Sequence, residues 1–272
     1  MSRGKMKKFK EYIKKSVDKK DPILITAEPV HGSHAKKRKT KKTPRVVKEE
    51  SKVTMSKWLM QHDNHHLGPS HIDVDKKLHD HHWDEHGDYF KKAMHAYTED
   101  SNEINKYLIA HASGKKITDN KYDRMDHETR EKHVKNLDAH LNNPHNALKH
   151  DLHVYHGTTS WNPGHEAAKH PEGHIRIPTY VSTSIHKHVA HNFGTKDDYG
   201  EGDEMTESRR HVLHVHLKEG DPGKYIGNNT SVDRNEHEFL LPRNKVYKVH
   251  PKPTKLSDGT HVWHAEMLKD HK

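Results

Sequence analysis

The sequence predicts an α+β chain, with helices first and strands after. Two changes of pattern carry this prediction. From residue 53 to about 150, apolar residues recur at helical spacing; beyond 150 they alternate in short runs separated by turn residues. Segregated helices and strands of this kind pack as an α+β domain. Residues 1–52 follow neither pattern and are set apart by charge.

That first segment carries eighteen Lys and Arg against six acids, a net of +12, whereas the remaining 220 residues carry thirty against thirty-three, a net of −3. The overall +9 therefore belongs to a basic arm, and the body is near neutral. The arm holds a weak amphipathic stretch (Phe9, Ile13, Val17) and the run KKRKTKKTPRVVK at 36–48. Its composition predicts disorder. Residues 3–48 are a candidate contact for nucleic acid or an anionic membrane surface, or an import signal; a solvated tail is the plain alternative. The expected division is a disordered arm at 1–52 and a folded domain at 53–272, helical over 53–150 and β-rich over 151–272.

Within the helical part, MSKWLM at 55–60 reads as a short helix. Residues 62–86 contain eight histidines, and His62/His66 and His82/His86 stand four apart, a spacing that a divalent ion can use on a helix. A chain with 33 histidines produces such pairs by chance, so no metal site is expected. Tyr89, Phe90, Ala93, Met94 and Tyr97 form one helical stripe. A second helix starts near Asp100, with Glu103 as its capping-box partner and Ile104, Tyr107 and Leu108 facing inward. A third, roughly 126–141, turns Val134, Leu137 and Leu141 to one side, and Pro144 closes it.

Strands are predicted at 152–156, 179–183, 211–217, 236–241, 245–249 and 261–267, with the Asp258–Gly259 hairpin signal among the intervening turns. In HVLHVHL at 211–217, Leu213, Val215 and Leu217 face the core and leave His214 and His216 toward solvent.

Composition excludes several classes. With no cysteine there are no disulfides, zinc ribbons or Cys nucleophiles, which suits a reducing cytoplasm. No run approaches the ~18 apolar residues of a membrane span. The basic N-terminus has no apolar stretch behind it, so no secretory signal is expected. At 29% hydrophobic and 32% charged, the chain is too polar to be one core from end to end.

Three strand-borne signals carry the chemistry. Val154-Tyr155-His156-Gly157-Thr158 ends a strand in a Gly turn. Tyr180-Val181-Ser182-Thr183-Ser184 is followed by helix-like HKHVAHNF, ending in Phe193. In Asn235-Glu236-His237-Glu238-Phe239-Leu240-Leu241-Pro242, two carboxylates two apart point to one side of a strand. Like charges held together raise one pKa. Each signal alone has a bland reading, since Ser-Thr-Ser is common and Glu-x-Glu usually lies on a solvated edge.

In this order the three resemble the R-S-E branch of the mono-ADP-ribosyltransferases, over roughly residues 89–267. HAYTEDSNEINKYL at 95–108 is similar to the helical lead-in of exoenzyme-type members. LNNPHNALKHDLHVYHG is similar to the approach to their first catalytic strand, YVSTS to their Ser-Thr-Ser strand, and EHEFLLPRNKVYKV to their Glu-x-Glu strand and final hairpin.

The resemblance implies a fold of two packed, mostly antiparallel sheets behind a helical lead-in, with NAD as substrate and a target protein as acceptor. It implies that Glu238 binds the 2′-hydroxyl of the nicotinamide ribose and stabilises an oxocarbenium-like transition state. Glu236 positions or deprotonates the acceptor, which Glu-x-Glu implies to be arginine. Ser182 holds Glu238, Thr183 and Ser184 shape the nicotinamide pocket, and Gly157 lies on the cofactor-binding strand. Phe193 and the loop 194–210, with Arg209 and Arg210, cover the dinucleotide phosphates.

One position departs from the pattern. The Arg expected after Tyr155 is His156, as in the diphtheria-toxin-like branch, where a histidine contacts the adenosine ribose. The departure keeps a second reading open: a decayed transferase fold acting as a His- and Lys-rich virion component that binds nucleic acid or metal. The opening MKKFKEYIKKS resembles the start of structural and accessory proteins of large tailed bacteriophages. That resemblance implies a transferase carried in a virion to a host protein in the host cytoplasm.

Overall fold

A computed structural model describes residues 23–24, 53–79, 87–115, 117, 123–159, 161–195, 210–227 and 236–269. The arm apart from residues 23–24, the His82/His86 pair and Arg209 lie outside the described residues.

The helical part contains α1 (Met55–Met60), α2 (His71–His79), α3 (Asp88–Glu99), α4 (Ser101–Ala112) and α5 (His127–Leu141). Side-chain caps set the starts of α4 and α5. Asp100 accepts from the Glu103 amide at 3.1 Å, and Asp126 from the Thr129 amide at 2.7 Å. The Glu103 carboxylate does not return to Asp100 as a capping box would. It accepts from the Arg124 and Met125 amides at 3.1 and 3.0 Å and from the buried Arg130 guanidinium at 3.2 Å. A buried cation and two loose amides outcompete the box. The predicted stripes of α3, α4 and α5 meet in one cluster, which continues onto the sheet through Tyr180, Ile226 and Leu240; Tyr89 is the exception, 68% exposed at the edge of the α3 stripe with the Lys132 ammonium over its ring.

The β-rich part holds β2 (Leu152–Thr158), α6 (Pro163–Ala167), β3 (His174–Ile177), β4 (Val181–Ser184), α7 (Lys187–Thr195), β5 (His211–Leu217), β6 (Lys224–Gly227), β7 (Glu238–Leu241), β8 (Lys245–Val249), β9 (Thr254–Lys255) and β10 (His261–Met267). With β1 (Ile23–Leu24) the strand order is β1-β3-β8-β10-β5-β2-β4-β7-β6, and β9 pairs with β10. Most neighbours are antiparallel; β1–β3 and β10–β5 are parallel. Seven residue pairs join β2 to β5, but β2 meets β4 only through Tyr155 and Ser184. Two ladders thus join at a narrow seam, with the 154–158 motif on one side of it and the 180–184 and 236–242 motifs on the other.

Both faces of the central strands are covered. Val154, Leu213, Val215 and Ala265 point into the main core, while their neighbours Tyr155, Val212 and Val262 pack under Trp58 of α1 and Ala190 of α7. This corrects the reading of His214 as a solvent-side residue. Its side chain is 11% exposed, and it belongs to a row of imidazoles. His153 Nδ1 lies 2.9 Å from His214 Nε2, and His214 Nδ1 lies 3.1 Å from His264 Nδ1. Burial pushes these rings down, His214 to about 3 and His153 to about 4, so at neutral pH the row is uncharged. His62 and His66 stand outside any helix, with His66 Nε2 2.7 Å from the Asp151 carbonyl.

Candidate active site at the seam between the ladders

Glu238 is the first residue of β7 and faces Ser184 across the β4–β7 pairing, with Ser182 two residues along the same face of β4. It is 4% exposed. Burial pushes its carboxyl up to about 7; a hydrogen bond from the Ser182 side chain opposes this, and the charge of Glu236 adds to it. The two acids therefore lie close enough to feel each other, as the Glu-x-Glu spacing predicts.

The route to that proximity differs from the prediction. The strand begins at Glu238, not at 236, and His237 adopts a left-handed φ of 46°. The β6–β7 register slips at the same point, between Tyr225 and Gly227. Strand alternation is broken here, so a turn, not a pleat, brings Glu236 beside Glu238. A left-handed histidine needs an anchor, and His237 has one: its Nδ1 lies 2.8 Å from Asp75 of α2 and 3.4 Å from the Tyr225 hydroxyl.

The three hydroxyls of the Ser-Thr-Ser strand do different work. Ser182 bonds the Glu238 carboxylate. Thr183 donates to the Phe239 carbonyl, pinning β4 to β7. Ser184 donates to the Glu236 carbonyl at 2.6 Å and accepts from the His186 amide at 3.0 Å, which ties the acid-bearing turn to the start of α7. Thr183 and Ser184 thus brace the backbone that carries the two acids.

Across the seam, His156 Nδ1 lies 2.7 Å from the Ser182 carbonyl. A carbonyl only accepts, so Nδ1 carries the proton and the neutral ring keeps Nε2 as an acceptor. Burial pushes the His156 pKa down, and the Ser182 carbonyl partly offsets this. His156 is thus a neutral ring joined to the backbone of the residue that holds Glu238.

Gly157 follows because α7 crosses β2 there: a Cβ would stand 1.8 Å from the Ala190 carbonyl oxygen. Phe193, near the end of α7, is 41% exposed. Arg210 donates to the Asp258 carbonyl at 3.2 Å and is tied to the β9–β10 turn. Asp75, His186 and Tyr225 were absent from the sequence-derived site. The spacing offered no signal for them, because they reach the site from three separate elements.

A fold of two joined ladders behind a helical layer, with a buried Glu at the head of one strand and Ser-Thr-Ser on its neighbour, defines a transferase class. Residues 76–269 match the ADP-ribosyltransferase exoenzyme family. The chain belongs to that family. It is an NAD-dependent mono-ADP-ribosyltransferase, with NAD as substrate. Among solved structures it is similar to an ADP-ribosyltransferase from Clostridium botulinum (TM-score 0.54, 16% identity, 74% of this chain and 97% of that one). It is also similar to the Clostridium limosum C3 exoenzyme (0.52, 15%, 74% and 96%). A third similarity is to an ADP-ribosyltransferase toxin from Paenibacillus larvae (0.50, 18%, 73% and 94%). At these identities the solved structures establish the fold. No curated protein matches the chain. Among the described residues no helix is long and apolar enough to cross a membrane.

Proposed function

We propose that this chain transfers ADP-ribose from NAD to an arginine side chain of a target protein, with Glu238, Glu236 and Ser182 carrying the reaction. The observation that supports it most is the buried Glu238 carboxyl, bonded by Ser182 and pushed up to about 7 with Glu236 contributing. The Glu238 carboxylate accepts a hydrogen bond from the 2′-hydroxyl of the nicotinamide ribose. There it stabilises the positive charge that grows at C1′ as the C1′–N bond breaks and the electron pair leaves with nicotinamide. Glu236 orients the guanidinium and receives the proton that the attacking nitrogen loses as the new C1′–N bond forms. His156 Nε2 accepts from a ribose hydroxyl, Thr183 and Ser184 hold the pocket's shape, Gly157 lets α7 close over it, and Phe193 covers the dinucleotide.

The catalytic unit on this reading is 53–272. The basic arm 1–52 binds polyanions, nucleic acid among them, and carriage in a virion to a host protein suits its opening sequence. Deleting the arm also removes β1, which lies at the edge of the sheet remote from β4 and β7. Turnover of NAD should therefore survive the deletion, while salt-sensitive nucleic-acid binding should be lost.

Radiolabelled NAD offered with polyarginine or polylysine tests the central assignment. Glu238→Gln should lose both nicotinamide release and transfer. Glu236→Gln should lose transfer to polyarginine and keep nicotinamide release. Equal losses in the two variants, or labelling of polylysine alone, would overturn the division of roles.

A further inference from the structure

The anchor of His237 is richer than one contact. Asp75, His186 and His237 come from α2, from the turn between β4 and α7, and from the turn before β7. One ligand atom from each lies within 4.8 Å of the other two. His237 Nδ1 is 2.8 Å from Asp75 Oδ2, and the His186 and His237 rings meet edge to face with centroids 4.2 Å apart. His186 is 5% exposed. The Tyr225 hydroxyl donates to Asp75 Oδ1, which leaves Oδ2 turned toward the imidazoles.

We propose that Asp75, His186 and His237 bind one divalent first-row transition ion, of which Zn²⁺ is the representative. Two imidazoles and one carboxylate are a recurrent three-ligand set for such ions, with a fourth position left to water. The surroundings have the form that such sites require. Tyr225 orients the carboxylate from outside the ligand set, as partners of metal ligands do. The histidines come from segments that the fold already fixes: the His186 amide bonds Ser184 Oγ, and Ser184 in turn bonds the Glu236 carbonyl.

A second group, His170, Glu172 and His174, also converges within 4.8 Å, but it carries the argument less far. It is drawn from one short stretch, its Glu172 side chain is 63% exposed, and His170 Nδ1 already accepts from the Glu172 amide at 3.3 Å.

An ion at the first group would have a specific consequence. It would cross-link α2 and the turn that leads into α7 to the backbone between Glu236 and Glu238, holding the left-handed turn by coordination bonds in place of hydrogen bonds. The segment rich in histidine at 62–86 would then contribute to the site through its aspartate.

Metal binding is read without NAD, so its failure is separate from any failure of the transferase reading. The full chain, stripped with EDTA, is titrated with Zn²⁺ by calorimetry and with Co²⁺ by visible absorption. One tight equivalent should appear above the weak binding of surface histidines, with the intense bands of four-coordinate Co²⁺. In Asp75→Asn and His186→Gln the tight equivalent should weaken by at least about tenfold, while the weak sites remain. Absence of a tight equivalent in the wild type, or its survival unchanged in both variants, would overturn the proposal. Should the variants misfold, X-ray absorption of the wild type loaded with one Zn²⁺ decides alone. Two imidazoles with oxygen ligands support the site, and a shell of three or more imidazoles refutes it.

Discussion

Replacing Glu238 by Gln should abolish transfer and at the same time stabilise the fold, and the size of the gain follows from the carboxyl's surroundings. Its ordinary value of 4.5 is pushed up to about 7, first by burial and then by the charge of Glu236, against the Ser182 hydrogen bond. The folded chain therefore binds this proton more tightly than the unfolded chain does. Below pH 4.5 the carboxyl is neutral in both states and its ionisation has no effect on folding. As pH rises from 4.5 to 7 the unfolded chain ionises first, and stability falls. Above 7 both states are ionised and the loss is complete. At ~1.36 kcal/mol per pKa unit, the gap corresponds to about 3 kcal/mol.

Gln keeps the shape and removes the titration. In urea unfolding at pH 8 with EDTA present, Glu238→Gln should exceed the wild type by about 3 kcal/mol, with an unchanged slope on denaturant. At pH 4 the difference should shrink toward zero, because the other titrating groups are common to both proteins and cancel. In the wild type, nicotinamide release should rise along an acid limb centred near pH 7, as the carboxylate forms. A variant no more stable than the wild type at pH 8, or equally more stable at pH 4, would show that the Glu238 carboxyl is not strained by burial.

Other perturbations probe the supports of the site. Gly157→Ala puts a methyl 1.8 Å from the Ala190 carbonyl oxygen, a backbone atom that can yield only if α7 moves; the expected loss is about 3 kcal/mol in urea unfolding, with weakened NAD binding in calorimetry. Asp138→Ala removes the acceptor of Tyr180 at 2.8 Å and of Arg243 at 2.6 Å, the tie between α5 and the sheet. It should cost about 2 kcal/mol, discounted for a pair about a quarter exposed, and leave the KM for NAD unchanged. Because His156 is neutral, with its pKa held down by burial, it should add no fall in NAD affinity from about pH 7 to 8.5, where the one expected change is the small rise as the Glu238 carboxylate finishes forming. His156→Ala should weaken NAD binding by about 1–3 kcal/mol in calorimetry, and a wild-type affinity that falls steeply above pH 7 would refute the neutral ring.

How much of this was legible in the sequence depended on the range of the physics involved. Helices α3, α4 and α5 were read with their inward residues, Tyr89 apart, because their stripes and the caps Asp100 and Asp126 are local features. Strands β2, β5, β8 and β10 emerged close to their predicted bounds for the same reason. Strands β3 and β6 were missed: HIRI and KYIG are four residues each, and while HIRI does alternate, so short a run does not stand out from its surroundings, and KYIG, buried throughout, has no alternation at all. Within the candidate site, the neighbouring placement of Ser182 and Glu238 was legible because the strand motifs carry them. The start of β7 was misjudged, since the left-handed His237 depends on Asp75 and Tyr225, which no spacing rule connects to it. His214 was misread because alternation identifies a face without saying what covers it; α1 and the imidazole row do so here.

Strand β4 explains why the departure at His156 leaves the site coherent. Ser182 uses both of its polar ends: its hydroxyl holds Glu238, and its carbonyl accepts the proton on His156 Nδ1. An arginine at 156 would bring several donors and a permanent charge to that position. The histidine brings one donor, used inside the protein, and offers one acceptor outward. Recognition of a ribose at this point would then run in the opposite sense, with the sugar hydroxyl donating and the protein accepting. The substitution also adds no positive charge near the Glu238 carboxyl, so nothing from β2 lowers its pKa. With no such charge from β2, Glu238 stays near 7, where a small change in its surroundings switches it between acid and carboxylate.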